Sequence, residues 1–202
     1  RRGSYLALKI NGYRASVAKY FRSLDLELDS DSLVLDAGSG TGIVTLAFHD
    51  AGFRPKKIVA LDLSRKSLQV ARDQFSKEKK SDKARMAPAQ ADILCTPFAD
   101  DSFDLVLSCG VLEYVSLDAG LAEMARILKP GGKLVFIPVK PSVVGTVLEF
   151  LYKFKTHKLK DVKKSAQEHF TILGNHEFPI NEPISWSKTI FLLEKHRSEP
   201  SE

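Results

Sequence analysis

A chain of 202 residues, 44% of them apolar, has room for one sizeable α/β domain with a single core and a small insertion. No apolar run approaches the ~20 residues of a membrane-spanning helix, and two cysteines without neighbouring histidines argue against a Cys/His metal cluster and for a reducing, cytoplasmic setting with no signal peptide and no structural disulfide. The net charge of +5 sits almost wholly in one place, where Lys153, Lys155, Lys158, Lys160, Lys163 and Lys164 face only Asp161 and Glu168, so the chain reads as a nearly neutral domain carrying one basic segment.

In chain order, Tyr13, Val17, Tyr20, Phe21 and Leu24 fall on one stripe of an amphipathic helix, within a helical cap over 1–30. A buried strand over 33–36 runs into Asp36-Ala37-Gly38-Ser39-Gly40-Thr41-Gly42, a tight turn that opens a helix over 43–51. Glycine lets the backbone of that turn take positive φ and approach a ligand, and the N–H groups at the helix start are expected to receive its polar atoms. A second strand over 57–62 again ends in an acid, Asp62. Ser64 then caps a helix with Leu68, Ala71 and Phe75 inward, which frays into a charged loop over 77–83. A third strand lies over 85–89 and a fourth over 103–108. An irregular piece leads to a helix over 117–128, the Pro130-Gly131-Gly132 turn and a fifth strand over 133–139. This alternation predicts a doubly wound, mostly parallel sheet, with a core over 33–139. A helix over 143–154 then begins a helical, basic insertion over 142–169. Strands over 170–178 and 188–194, separated by Pro179 and Pro183 without a crossover helix, predict an antiparallel pair at the sheet's end, so that 170–195 completes seven strands. Residues 199–202 read as a frayed tail.

In such a sheet the ligand lies outside the carboxyl ends of the strands, at the switch point. Asp36, Asp62, Asp92 and Ser108 stand at or just past four such ends. Asp62 follows Gly42 by the interval expected of a carboxylate that holds a ribose diol. A dinucleotide turn would place glycine at position 43, where this chain has Ile43, and a carboxylate beside a pyrophosphate repels it. The same Asp36 attracts an ammonium or sulfonium, so the turn reads as built for a nucleoside with a cationic tail. The bland alternatives are a turn-forming acid for Asp36, a helix-dipole partner for Asp62 and a loop acid for Asp92. Asp100, Asp101 and Asp104 read as a solvated turn and not a metal cluster, and no metal site is expected. Cys95 and Cys109 read as small core residues, His49 as a surface helix residue, and His157, His169 and His176 as structural or cleft-reaching.

Five segments in order carry a family likeness: 34–42, Leu61-Asp62-Leu63-Ser64, Ala91-Asp92-Ile93, 98–108, and Leu128-Lys129-Pro130-Gly131-Gly132-Lys133-Leu134. With them the chain resembles the class I S-adenosylmethionine-dependent methyltransferases, whose fold is Rossmann-like, and within them the small-molecule branch. The resemblance implies S-adenosyl-L-methionine as cofactor and S-adenosyl-L-homocysteine as its product. Asp36, Gly38, Ser39, Gly40 and Gly42 would hold the methionine part, and Asp62 both ribose hydroxyls. Leu63 would pack on the adenine, Asp92 accept from its amino group, and Ile93 cover the ring. Ser108 and Gly110 would line the methionine end. Tyr114 stands where relatives often carry histidine, so a histidine base is absent there; Tyr114 is either cleft wall or a substrate-facing group that adds a cation–π contact.

The chain has no Asn/Asp-Pro-Pro-Tyr after the fourth strand and no Pro-Cys nucleophile, which argues against nucleic-acid amino groups and pyrimidine carbons as acceptors. A small-molecule or lipid-like acceptor, methylated by in-line displacement, is the leading reading. The alternatives are a nicotinamide-dependent oxidoreductase and a non-catalytic partner subunit of the same fold. Family resemblance puts acceptor choice in 5–24 and 142–169. The basic stretch is read as a solvated helix face, a site for an acidic substrate, or a contact to RNA or an anionic membrane surface.

Overall fold

In a computed structural model, residues 12–78 and 85–197 are described. The expectations for Tyr5, for most of the 77–83 loop and for the 199–202 tail lie outside them. The described elements are α1 (Tyr13–Arg22), β1 (Leu33–Ala37), α2 (Ile43–Asp50), β2 (Lys57–Asp62), α3 (Arg65–Glu78), β3 (Met86–Gln90), β4 (Phe103–Cys109), α4 (Leu117–Ile127), β5 (Leu128–Ile137), α5 (Val143–Tyr152), α6 (Leu159–Gln167), β6 (Phe170–Glu177) and β7 (Thr189–Lys195). Single 3₁₀ turns cover Leu112–Tyr114 and Pro183–Trp186.

The described strands form one seven-stranded sheet in the order β3-β2-β1-β4-β5-β7-β6. Strands β1 to β5 pair parallel, and β7 runs antiparallel to both β5 and β6. The expected C-terminal strand pair is therefore present, with its later strand inserted beside β5. The chain winds outward from β1 through β3, then crosses to β4 on the other side. The switch point thus falls between β1 and β4.

Side chains alternate across the sheet and build a layer on each face. Leu35, Leu61, Val106, Phe136 and Phe191 meet α4 and α6 through Leu121, Met124, Val162 and Ala166. Val34, Ile58, Leu105, Val135 and Ile190 meet α1 and α2 through Val17, Phe21, Val44 and Phe48. Helix α1 is fixed to α2 by Arg14, which donates two hydrogen bonds of 2.6 Å to the Asp50 carboxylate. That brings Tyr13, at the first turn of α1, over the end of β4. No described helix is long and apolar enough to cross a membrane.

Three local expectations change. Strand β5 begins at Leu128, because Leu128 pairs with Phe103 and Lys133 with Leu105. Lys129 to Gly132 loop out between these pairings, with Gly131 at φ 76°. Helix α5 stops at Tyr152, where Lys153 takes φ 56° and unwinds the chain before α6. Cys95 is exposed, not a core residue, since it sits on the tight Asp92–Cys95 turn. The acids before β4 are tied to cations one by one: Asp100 to Arg126, Asp101 to Lys195 and Asp104 to Lys129, each at 2.6 Å.

Gly42 caps α2 with φ 81°, and a Cβ there would stand 2.9 Å from the Ala71 Cβ of α3. Gly12 also takes positive φ, 68°, but a Cβ there would meet no atom of the described residues within 4 Å. Gly42→Ala is expected to cost about 3 kcal/mol and Gly12→Ala about 1 kcal/mol. Urea denaturation of the two variants measures the difference, and equal midpoints would remove the packing argument.

Candidate functional site

The turn after β1 is held from inside the protein. The N–H groups of Gly38 and Ser39 both donate to the Leu61 carbonyl, at 2.9 and 2.8 Å, and that of Gly42 donates to Ser39 O at 2.8 Å. Gly40 N–H donates to Asp62 Oδ2 at 2.8 Å. These four donors of the turn are thus engaged within the protein, which leaves the expected role of receiving polar ligand atoms to the N–H groups at the start of α2. Its glycines serve different needs. A Cβ at Gly38 would stand 2.5 Å from the Val111 side chain, so this glycine lets the segment after β4 close on the turn. At Gly40 a Cβ would meet no atom within 4 Å, and the backbone there is open to approach.

Asp36 ends β1 with 1% of its surface exposed. Its Oδ2 accepts from both the hydroxyl (2.5 Å) and the N–H (3.1 Å) of Thr45 on α2. Burial pushes its pKa up to about 6, against the pull of the Thr45 bonds, and the nearby Asp62 charge adds to the rise. Asp62, half-buried, clamps the turn through Oδ2 and accepts Ser64 N–H at 2.7 Å through Oδ1. Next to it Leu63 points outward with 69% of its surface exposed, an apolar side chain with no core to join. Gln90, at the end of β3, donates to the Leu63 carbonyl at 3.1 Å. Asp92 is exposed and accepts Leu94 N–H at 2.9 Å, whereas Ile93 turns into the core. Ser39 and Ser108 are buried, and their hydroxyls have no hydrogen-bond partner among the described residues. Asp36, Asp62, Asp92, Ser108 and Gly110 thus share the carboxyl edge on both sides of the switch point, as the sequence predicts.

Beyond β4 the edge holds residues that periodicity does not single out for function. Tyr13 Oη lies 2.7 Å from Cys109 Sγ, and burial raises both groups, the tyrosine further under the Cys109 charge. Glu113 is buried in the same turn as Tyr114, and its Oε1 accepts Val139 N–H while Oε2 has no partner among the described residues. Tyr114 itself is about half exposed, edge-on to Phe154 with ring centroids 5.4 Å apart. Lys188, at the mouth of β7, is 9% exposed and extends toward Gly110, where a Cβ would stand 2.9 Å from Nζ. Gly110 takes φ 64° and leaves that space to the ammonium. Of the C-terminal histidines, His157 Nε2 lies 3.0 Å from Leu112 O, and His176 packs on Tyr20 with ring centroids 4.5 Å apart. His169 packs edge-on against Phe170.

Comparison with known proteins gives consistent matches. Residues 35–136, just over half of the chain, match the family described as methyltransferase domain. Demethylmenaquinone methyltransferase of Bacteroides fragilis is 35% identical over 106 residues, which are 52% of this chain and 42% of that protein. The chain thus matches less than half the length of that relative. Among solved structures, geranyl diphosphate C-methyltransferase from Streptomyces coelicolor superposes with a TM-score of 0.69 at 17% identity, over 91% of this chain and 77% of that one. The [4+2]-cyclase SpnF superposes with a TM-score of 0.72 at 19% identity, over 93% and 82%.

The raised pKa of Asp36 has a signed consequence for stability. The folded protein holds a proton that the unfolded chain, near pKa 3.8, gives up, so stability falls as pH rises through about 4 to 6 and stays at the lower level above that. The loss is about 3 kcal/mol. Asp36→Asn keeps an acceptor for Thr45 and cannot ionise. Urea unfolding at pH 4, 5, 6 and 7 should show this slope in the native chain and its loss in the variant; parallel curves would mean that Asp36 does not titrate there.

Proposed function

The chain belongs to the methyltransferase-domain family, and on that premise we propose that it is an S-adenosyl-L-methionine-dependent methyltransferase acting on a small, lipid-like acceptor. One arrangement carries the reading: Asp36, Asp62 and Asp92 lie at successive strand ends of one sheet edge, with the exposed Leu63 between the last two. The residues fit the cofactor. Leu63 offers an apolar platform for a purine, Asp62 retains lone pairs for a ribose diol, and Asp92 is free on its outer side to accept an amino hydrogen. Asp36, with its pKa of about 6, is mostly ionised at neutral pH and supplies the negative field for a cationic tail. The unpartnered hydroxyls of Ser39 and Ser108 and the open backbone at Gly40 lie on the same edge and leave polar groups for the remaining length of the ligand. Gly38, Gly42 and Ile93 act by packing, holding the turn and the adenine side in shape.

When bound, the cofactor supplies an electrophilic methyl group, transferred as its bond to sulfur breaks and the acceptor bond forms. The chain's own residues orient, exclude water and balance charge, and that is most of what such a displacement needs. Tyr114 and Phe154 form an aromatic corner at the rim. An edge rich in carboxylates and without a phosphate-binding turn disfavours the nicotinamide alternative.

The acceptor class is supported by α5. Val143, Val147, Phe150 and Leu151 stand largely exposed on it, and the six lysines from Lys153 to Lys164 that follow it in the chain are all exposed. Apolar and cationic side chains together suit an anionic lipid surface from which a lipid-like acceptor is drawn.

Calorimetry should give micromolar-range binding of S-adenosyl-L-homocysteine to the native chain and none to Asp62→Ala. Because Asp62 also clamps the turn, Leu63→Ala is the cleaner variant: about tenfold weaker binding with an unchanged melting temperature. Full affinity in Leu63→Ala would remove the adenine from that position. For the surface, the protein should sediment with phosphatidylglycerol-containing vesicles and not with pure phosphatidylcholine. Phe150→Asp and the pair Lys163→Glu and Lys164→Glu should each reduce binding several-fold, and undiminished sedimentation of both would rule out this face.

A further inference from the structure

Two lysines of the described chain are buried to more than nine-tenths, and they differ in one respect. Lys133 Nζ donates to Glu27 Oε2 at 2.7 Å and to the Asp25 carbonyl at 3.2 Å. Lys188 Nζ makes no hydrogen bond and no ion pair among the described residues, although its backbone is firmly held, N–H to Ile184 O at 2.9 Å and in a bridge with Val139. Its side chain crosses from the mouth of β7 over the end of β5 to Gly110 at the end of β4. There its charge is felt at the Cys109 thiol, where it opposes the rise caused by burial, as Glu113 and Asp36 reinforce it. The Lys188 side chain is largely buried while its ammonium is not among the atoms cut off from solvent, so it stands at the strand edge as a cation without a protein counter-charge, where buried or half-buried charges are ordinarily paired. Neither nearby carboxylate supplies the pair: Asp36 is bound to Thr45, and Glu113 uses Oε1 on Val139 N–H and leaves Oε2 unpartnered.

We propose that Lys188 forms an oxyanion-binding position in the cleft, taking a carboxylate or phenolate oxygen of a bound ligand. The inference rests on the methyltransferase reading of the same edge. The anion has two possible sources that share this chemistry: an ionised oxygen of the acceptor, or the α-carboxylate of the cofactor's amino-acid tail. In the acceptor case, holding a phenolate ionised raises the nucleophilicity of that oxygen or of its ring carbons, and no separate base is needed at the moment of transfer.

The test uses the whole chain with Lys188→Met, which keeps the length of the side chain, and Lys188→Arg, which keeps the charge. Removing an ammonium that has no protein counter-charge should leave the ligand-free melting temperature equal or higher, whereas a structural lysine would lower it. Calorimetry then compares two pairs of ligands. If the cofactor supplies the anion, Lys188→Met binds S-adenosyl-L-homocysteine at least tenfold more weakly and 5′-methylthioadenosine, which lacks the amino-acid tail, equally well. If the acceptor supplies it, S-adenosyl-L-homocysteine affinity is unchanged. The native chain loaded with S-adenosyl-L-homocysteine then prefers the anionic 2-hydroxy-1,4-naphthoquinone over neutral 2-methyl-1,4-naphthoquinone, and Lys188→Met loses that preference while Lys188→Arg retains it. A lowered ligand-free melting temperature, or a Lys188→Met variant that matches the native chain in both comparisons, overturns the proposal. A native chain that fails to bind S-adenosyl-L-homocysteine overturns the methyltransferase reading instead.

Discussion

A buried acid fastened to a helix organises this molecule. Asp36 closes β1, and Thr45 brings both its hydroxyl and its N–H to one oxygen of that carboxylate. The contact ties the end of the central strand to the first turns of α2 and leaves the chain between them little slack. Ser39 to Gly42 must then close tightly, which explains positive φ at Gly38, Gly40 and Gly42 together. Asp62 grips the same turn from the neighbouring strand through Gly40 N–H. Burial outweighs the hydrogen bonds at Asp36, so its carboxyl rises to about 6. Two carboxylates from adjacent strands thus share one small volume, and the Asp62 charge makes Asp36 more costly to ionise. A cation arriving there relieves both.

Much of this was legible in the sequence because parallel strands covered on both faces are near-continuous apolar runs. Val34-Leu35, Ile58 to Leu61 and Leu105 to Leu107 announce themselves, and the polar residue that follows each, Asp36, Asp62 or Ser108, marks a strand end. The proline-separated strands at the C-terminus lack a crossover helix, so their antiparallel pairing follows. What stays hidden depends on contacts between distant parts of the chain. The loop of Lys129 to Gly132 arises from a register that only the β4–β5 pairing reveals. The turn's N–H groups look available until Leu61 and Asp62, some twenty residues on, come to lie against them. Glu113 stands beside a more conspicuous tyrosine, and its burial depends on Val139. Lys188 sits in a segment broken by prolines, where no periodicity tells inside from outside.

The two ends of the sheet are built to different rules. At the amino end of β4 and β5, polar groups are matched: Lys129 with Asp104, Lys133 with Glu27, Lys195 with Asp101. Nearby, hydrogen bonds from Arg126, with help from Thr96, hold Glu123 down to about 2. At the carboxyl end, the buried hydroxyls of Ser39 and Ser108 and Glu113 Oε2 have no hydrogen-bond partner among the described residues, and the Lys188 ammonium stands there without a counter-charge. Each unmatched buried group costs about 1–3 kcal/mol, so a fold that could pair them gains by doing so. Lys140 and Glu177 pair at the carboxyl end too, so what stays open there is a particular set of groups around the strand ends and not the whole edge. A sheet of this shape also serves a [4+2]-cyclase, so the architecture alone does not choose a reaction. The choice lies in which polar groups the fold leaves open. Here they are two hydroxyls, a carboxylate oxygen and an ammonium, arranged around strand ends that already carry the acids for a nucleoside. Such a set is matched by a ligand that has both charges and hydrogens to give, and it is poorly matched by a purely apolar one.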